Sequence, residues 1–306
     1  MQTSSLRRVL SRVLLVGAPF ATLDCVTSSC PDNGVEPPPA NMMEIGSGDY
    51  GGGPLDAAQC AEVCDPFDEG VITCVRTSPD RVLCITQPFP CEGRRPAGLR
   101  DEAGSRRTGF ERYLAEGARL EAASIEAFRV LRRELAAHGA PRRLLRAASR
   151  AARDERRHAR IAASLARRFG AIPGPVTVEP RPVRALEAIA RENAVEGCVR
   201  ETWGAVVALR QSRLATEPSV RAAMRRIARD EVRHAELAWA VDAWVRPRLA
   251  RAARKRVHDA RSAAVAELSR EVTHMLPGIA RQRLGVPGAA ESLALVAELD
   301  RALWLG

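Results

Sequence analysis

Apolar side chains recur at helical spacing, three or four residues apart, through most of the chain beyond Thr108. Proline and glycine divide this region into four long stretches, with proline opening three of them and glycine closing two. The fixed φ of proline suits the first turn of a helix, and the freedom of glycine suits its end. The pattern therefore predicts four helices, over residues 108–138, 141–170, 182–215 and 218–246.

The lengths of the connections indicate how these helices pack. The first two helices, and the last two, are joined by only a few residues and should form antiparallel pairs. The segment from Gly170 to Arg184 can extend over ~46 Å, whereas each helix measures ~43 Å. The middle connection can therefore cross the whole bundle and leave the second and third helices parallel. The predicted fold is all-α, a four-helix bundle with one long crossover over residues 105–246.

A repeated motif relates the second helix to the fourth. Residues 152–162 read ARDERRHARIA and residues 228–238 read ARDEVRHAELA, so eight of the eleven positions are the same. The bundle is therefore interpreted as a duplicated helical hairpin.

Each copy of the motif places a glutamate three residues before a histidine: Glu155 with His158, and Glu231 with His234. Side chains three apart lie on one helical face, so each pair can reach one metal centre. The partner helices supply Glu121, 34 residues before Glu155, and Glu196, 35 residues before Glu231. All four glutamates are near the middle of their helices, which predicts that they meet at one level.

Two other glutamates compete for the outer positions. Glu126 and Glu201 also correspond between the two hairpins, each five residues after its rival. Five residues turn an α-helix by ~140° beyond a full turn, so only one member of each pair can face inward. The distance from the turn at Gly139 favours Glu121 over Glu126, and Glu196 is chosen by correspondence.

Four buried carboxylates need compensating charge, because an unpaired buried charge costs several kcal/mol or more. Two divalent cations would supply it. Carboxylates with two imidazoles and no thiolate favour iron or manganese. Cys198, which lies ~200° from Glu196 around the helix, is expected to be a buried thiol and not a ligand.

With these residues the sequence resembles the ferritin-like superfamily of carboxylate-bridged di-iron proteins, over about residues 108–246. The resemblance implies that Glu121 and Glu196 are terminal ligands, and that Glu155 and Glu231 bridge two iron ions, with manganese or a mixed pair as alternatives. His158 and His234 would each bind one ion. The resemblance also places four residues around these ligands: Asp154, Asp230, Arg157 and Arg233.

The resemblance favours an oxidoreductase that activates O2 or peroxide at a di-iron centre, with an unknown substrate or reductant. One alternative is a ferroxidase or metal-sequestering protein. Another is a structural or adaptor protein of the cell envelope whose bundle is stabilised by metal.

The N-terminal third has a different character. Residues 1–24 have the basic and then apolar order of a secretory signal, which predicts export to the periplasm or cell envelope; a lipid anchor on Cys25 is the alternative. Residues 25–104 contain seven of the eight cysteines and are interpreted as a small disulfide-rich module, with a metal knuckle at Cys60 and Cys64 as the weaker reading. Residues 70–76 and 81–86 predict a small β-hairpin.

Composition adds little to this picture. The net charge of +10 comes from 47 basic and 37 acidic residues, and all but one of the basic residues are arginine. Aromatic residues make up 4% of the chain and no nucleic-acid-reading motif is found, so no nucleic-acid partner is expected. No apolar run is long enough for a transmembrane helix. Residues 247–306 are expected to form extra C-terminal helices, broken near Pro277 and Pro287.

Overall fold

The computed structural model describes residues 9–10, 41–44, 55, 59, 63, 71–78, 81–86, 94–100, 109–273 and 278–304. The chain divides into two compact units, residues 17–88 and the remainder. Apart from residues 9–10, the predicted signal lies outside the described residues, as do all cysteines before Cys198 except the backbones of Cys74 and Cys84. Their processing and disulfide pairing stay predictions.

Within residues 17–88, three antiparallel strands form a sheet in the order β1, β3, β2. The strands are β1 (Asn41–Glu44), β2 (Val71–Ser78) and β3 (Arg81–Thr86). The predicted hairpin is confirmed by the pairing of β2 with β3, in which Cys74 and Cys84 are backbone partners.

From Gly109 onward most of the described residues are helical, apart from the connection between the second and third bundle helices. Four long helical segments form the bundle, and three shorter helices follow them. The bundle consists of α1 (Gly109–Ala137), α2 (Arg142–Arg168), a third bundle helix made of α3 (Leu186–Glu192), a π segment (Asn193–Glu201) and α4 (Thr202–Leu214), and α5 (Pro218–Val245). A 3-10 turn (Arg246–Arg248), α6 (Arg251–Glu271), α7 (Gly278–Leu284), α8 (Ala289–Leu299) and a π turn (Asp300–Trp304) complete the chain.

Glycines end α1 and α2 as predicted. Gly139 and Gly170 have φ values of +70° and +72°, in the left-handed region that glycine adopts without steric cost. After each glycine the next amide turns back to the helix, with Ala140 N donating to Leu135 O at 2.9 Å and Ala171 N donating to Ala166 O at 3.0 Å.

The third bundle helix starts at Leu186 and not at Pro182. The intervening backbone is held by the end of α1, since Arg184 Nε donates to Glu134 Oε1 at 2.7 Å and His138 Nε2 contacts Arg184 O at 2.8 Å. At the other end, Gln211 Nε2 donates to Tyr113 OH at 3.3 Å. The third helix therefore runs antiparallel to α1, which agrees with the predicted crossover.

The crossover is fixed by residues 94–100, which the sequence assigned to the cysteine-rich module. Leu99 and Val178 form an isolated antiparallel bridge, and Glu179 N donates to Gly98 O at 3.0 Å. Arg119 on α1 reaches both strands of this contact, through Pro175 O at 3.2 Å and Arg100 O at 2.6 Å.

The apolar core of the helical unit has two parts. One includes Phe110, Leu114, Val206 and Ile227, and the other includes Leu131. Charged residues at the middle of the bundle separate the two parts. None of the described helices combines the length and apolarity needed to cross a membrane.

Candidate metal centre

Five of the six predicted ligands converge at the middle of the bundle. Glu121 on α1, Glu155 and His158 on α2, and Glu231 on α5 offer ligand atoms that all lie within 4.8 Å of one another. His234, one turn beyond Glu231, belongs to a second group that shares Glu231. Glu155 and His158 are 0% exposed, so this is an interior site.

The two histidines face the same pair of carboxylates. Nδ1 of His158 lies 3.1 Å from Glu231 Oε1 and 3.8 Å from Glu155 Oε2. Nδ1 of His234 lies 2.9 Å from Glu155 Oε1 and 3.5 Å from Glu231 Oε1. Glu155 and Glu231 therefore stand between the two imidazoles, whose ring centroids are 5.7 Å apart. Glu121 Oε2 approaches the His158 side, at 3.4 Å from Nδ1.

The prediction for Glu196 requires correction. Glu196 is half-buried and accepts a hydrogen bond from the backbone nitrogen of Arg95 at 3.1 Å, away from the cluster. Its rival Glu201 is 1% exposed and groups with Glu231 and His234, with Oε2 at 3.9 Å from His234 Nδ1. Glu201 therefore takes the place that the sequence assigned to Glu196.

The π segment explains this exchange. In a regular α-helix each step of four residues turns ~40° past a full turn, so positions four apart leave one face. The i→i+5 bonding of a π segment widens the turn, and here Asn193, Gly197, Glu201 and Ala205 are all buried. Glu196 lies between these positions and faces elsewhere.

A spacing in the sequence could have indicated Glu201. Glu121 precedes Glu155 by 34 residues, and the residue 34 before Glu231 is Gly197, not Glu196. A Cβ at Gly197 would lie 2.7 Å from Ala238 Cβ, so α5 packs too closely for a side chain there. In the second hairpin the position equivalent to Glu121 is therefore Gly197, which has no room for a side chain. The carboxylate of Glu201, four residues later, reaches the cluster instead.

Most polar atoms that the cluster directs inward make no hydrogen bond of normal geometry. Within the described residues, no hydrogen bond reaches either oxygen of Glu155, Glu201 or Glu231, or Nδ1 of either histidine. Orphaned buried polar atoms are costly, and four carboxylates in one interior site repel one another. Two divalent cations would satisfy these atoms and balance the charge of the carboxylates. The residues therefore could hold a metal ion through oxygen and nitrogen ligands.

The pKa shifts of the cluster residues reflect the same burial and the same repulsion between carboxylates. Burial, followed by repulsion from Glu121 and Glu231, raises the pKa of Glu155 well above its usual value. Burial and repulsion from Glu231 raise the pKa of Glu201 to about 8. Burial disfavours the charged form of His158, but its contacts with Glu121 and Glu231 prevail and raise its pKa to about 11. Without cations, the protein relieves the repulsion by binding protons.

The aspartate of each motif lies beside the histidine of the other motif, on the neighbouring helix. Asp230 Oδ2 accepts from His158 Nε2 at 3.1 Å, and Asp154 Oδ2 lies 3.7 Å from His234 Nε2. Each aspartate thus faces the histidine of the other motif. This contact leaves Nδ1 of each ring directed at the glutamates, as in metal sites where a carboxylate orients a ligand histidine.

Two arginines tie the aspartates together. Arg157 donates to Asp154 Oδ1 at 2.8 Å and also to Asp230, and Arg233 donates to Asp154 Oδ2 at 3.2 Å and also to Asp230. Although burial alone would raise the pKa of Asp154, its contacts with His234 and both arginines hold that pKa well below its usual range. Both aspartates therefore remain anionic.

Sequence reasoning missed Arg94, which precedes the bundle and belongs to no motif. It is 1% exposed, and Nη1 donates to Asn193 Oδ1 at 3.2 Å while Nη2 donates to Glu192 Oε1 at 3.3 Å. Its guanidinium lies 6.0 Å from the centre of the Phe128 ring, which in turn packs 5.0 Å from His234. The charge of Arg94 opposes the rise in the pKa of Glu201.

The single described free cysteine does not join the centre. Cys198 is buried, and burial raises the pKa of its thiol to about 12. A thiol that stays protonated is a poor ligand.

No protein-family model matches the chain, and no curated protein or solved structure matches it. The geometry of the cluster therefore carries the functional argument by itself.

Proposed function

We propose that the chain is a ferritin-like dinuclear metal protein, with two iron ions held by Glu121, Glu155, His158, Glu201, Glu231 and His234. The observation that carries this proposal is the convergence of six buried side chains whose ligand atoms lack hydrogen-bond partners. The positions of Glu155 and Glu231 between the histidines support bridging roles. Glu121 and Glu201, at opposite ends of the cluster, suit terminal roles.

We further propose that the centre makes the chain an oxidoreductase that reacts with O2 or peroxide. Two ferrous ions would supply the electrons for reduction of such an oxidant. The chain's own residues orient and shield the site. Asp230 fixes the imidazole of His158, Phe128 closes the side of His234, and burial of all six side chains excludes bulk water.

The C-terminal helices favour an oxidoreductase over a storage cage. Helix α6 lies along the third bundle helix, with Arg256 paired to Glu187 at 2.6 Å and Arg200 paired to Glu271 at 2.8 Å. One face of the bundle is therefore covered by the chain itself. A minimal storage protein would use such faces for contacts between subunits.

A matched pair of variants tests the ligand set. Glu201→Gln removes a proposed ligand, whereas Glu196→Gln makes the same change five residues away on a side chain that does not reach the cluster. We expect metal analysis of purified protein to find two metal ions per chain in the wild type and in Glu196→Gln, and a clear deficit in Glu201→Gln. Equal metal content in both variants would contradict the assignment, and a deficit in Glu196→Gln alone would restore the sequence-based ligand.

The redox proposal has its own measurement. Protein loaded anaerobically with two ferrous ions per chain is exposed to air, and oxygen consumption and ferric absorption are followed. We expect rapid oxidation of the two bound ions and little consumption of further iron. Sustained oxidation of excess ferrous iron would indicate a ferroxidase. Bound metal with no oxidation would indicate a structural centre and would refute the oxidoreductase.

A further inference from the structure

A cleft that contains none of the metal ligands has a basic lining suited to an anion. The cleft, of about 710 Å³, lies where α5 ends and α6 begins, with the 3-10 turn Arg246–Arg248 between them. Ligand pockets commonly have volumes of about 300–1,000 Å³. None of the six cluster residues lines this cleft, so the proposed metal chemistry does not account for it.

The cleft is strongly basic. Its lining residues on α6 recur three or four positions apart, which places them on one face of the helix. The only carboxylate among the lining residues is Asp242, and Arg261 Nη2 already donates to it at 2.6 Å. The basic side chains of the cleft are Arg246, Arg251, Arg254, Lys255, His258 and Arg261. Of these, Lys255 is paired with Asp259 at 2.8 Å and Arg261 with Asp242 at 2.6 Å, which leaves Arg246, Arg251 and Arg254 as the principal cations of the cleft.

Arg261 forms a fixed donor at the inner wall. It is 9% exposed, its guanidinium lies 5.1 Å from the centre of the Trp239 ring, and its Nε has no hydrogen-bond partner among the described residues. Because Nη2 of Arg261 is held by Asp242, the guanidinium keeps a fixed positive charge at the inner wall of the cleft.

The backbone adds donors at the same place. Ala250, the residue before α6, is extended, and no side chain caps the helix. Arg254 N donates to Ala250 O at 2.9 Å, so the preceding amides of the first turn have no intrahelical acceptor. The first turn of a helix also carries partial positive charge and favours anions.

We propose that this cleft binds a ligand with two or more phosphate groups, either as a free small molecule or as the head group of a phospholipid. Guanidinium groups bind phosphate oxygens in a bidentate manner, and the arginines of the cleft lie on the 3-10 turn and on α6. The volume of the cleft exceeds the need of one phosphate, and its several cations match more than one anionic group.

The first test uses inorganic pyrophosphate and inorganic phosphate as probes in calorimetric titrations at 0.15 M salt. The wild type is compared with Arg251→Ala/Arg254→Ala/Lys255→Ala and with the control Arg142→Ala/Arg143→Ala/Arg150→Ala. The control removes three exposed charges from the start of α2, another helix without a side-chain cap. Metal content is measured before and after each titration, because removal of metal by the probe would affect all three proteins alike.

We expect pyrophosphate to bind the wild type at least tenfold more tightly than phosphate, and the cleft variant to lose at least tenfold of that affinity. The control should stay within about twofold of the wild type. Equal affinity in the wild type and the cleft variant, or an equal loss in the control, would overturn the proposal. Circular dichroism and thermal unfolding establish that both variants fold.

A second arm distinguishes the two sources of phosphate. Vesicles of phosphatidylcholine with 20 mol% diphosphatidylglycerol are sedimented with each protein. Sedimentation of the wild type and the control, but not of the cleft variant, would identify a lipid head group. Pyrophosphate binding without sedimentation would identify a free ligand. Absence of both would refute the cleft as a phosphate site.

Discussion

Glu155 shows at the level of one residue what a bound cation would provide. It is 0% exposed, and neither of its oxygens has a hydrogen-bond partner in the described structure. Burial and the nearby Glu121 and Glu231 raise its pKa. A carboxyl group whose pKa is raised by folding destabilises the protein progressively as the pH rises above the unfolded value.

Replacement of Glu155 by glutamine should therefore stabilise the metal-free protein. Glutamine has nearly the same shape and carries no charge, so it removes the repulsion. In the presence of chelator we expect Glu155→Gln to unfold at a higher temperature than the wild type, with a larger difference at pH 8 than at pH 5. A thermal unfolding series measures both differences.

In the presence of metal the wild type should instead be more stable than Glu155→Gln. A ligand present at about 1,000 times its Kd stabilises the native state by about 4 kcal/mol, and Glu155→Gln should lose most of that gain. The control is Glu196→Gln, which should respond to metal as the wild type does. A Glu155→Gln variant that is less stable than the wild type by the same amount at both pH values would show that repulsion is not relieved at this position.

Metal binding should also release protons. Without metal, His158 with a pKa of about 11, His234 with a pKa of about 9 and Glu201 with a pKa of about 8 hold protons at pH 7. Metal ligation requires their deprotonated forms, so affinity should fall as the pH is lowered. Calorimetry with Mn²⁺ in buffers of different ionisation enthalpy should find roughly two or more protons released per chain at pH 7. Binding without proton release would mean that these groups are not the ligands.

At the level of elements, the sequence predicts what local rules determine. Helix ends follow from Gly139, Gly170 and Pro218, whose backbone preferences act without tertiary help. The inward faces of α2 and α5 follow from the three-residue spacing of the repeated motif. Both helices are regular, so the four motif ligands lie where a straight helix places them.

The third bundle helix departs from such rules. Its π segment has no local signature that the periodicity revealed, and it lies where Gly197 packs closely against Ala238. The choice between Glu196 and Glu201 depends on this winding. Its late start at Leu186 likewise depends on a distant contact, between Arg184 and Glu134. Neither feature can be predicted from the local sequence, because each involves contacts between helices that are distant in the chain.

At the level of the whole molecule, the C-terminal helices are part of the packed structure. Helix α6 contacts the third bundle helix through pairs at both ends, and Arg261 reaches α5 through Asp242. Leu268, Leu295 and other apolar residues of this region belong to the same core cluster as Val206. The metal centre and the basic cleft therefore share one folded unit, and loss of α6 contacts should weaken the bundle itself.

Two arginines on α6 test this integration. Arg261→Ala leaves Asp242 buried without its partner, and the side chains of this pair are only 10% and 12% exposed. Loss of one partner of a buried pair typically costs about 3–5 kcal/mol. Arg256→Ala breaks a pair with Glu187 whose side chains are 53% and 30% exposed, so solvent should compensate and stability should change little. The free energies of unfolding of the two variants, measured with denaturant, should therefore differ by about 3 kcal/mol. Adding Asp242→Asn to Arg261→Ala should recover part of the loss, because it removes the uncompensated charge. Similar small effects of both substitutions would mean that α6 docks through its apolar face alone, with the Asp242–Arg261 pair contributing no net stability.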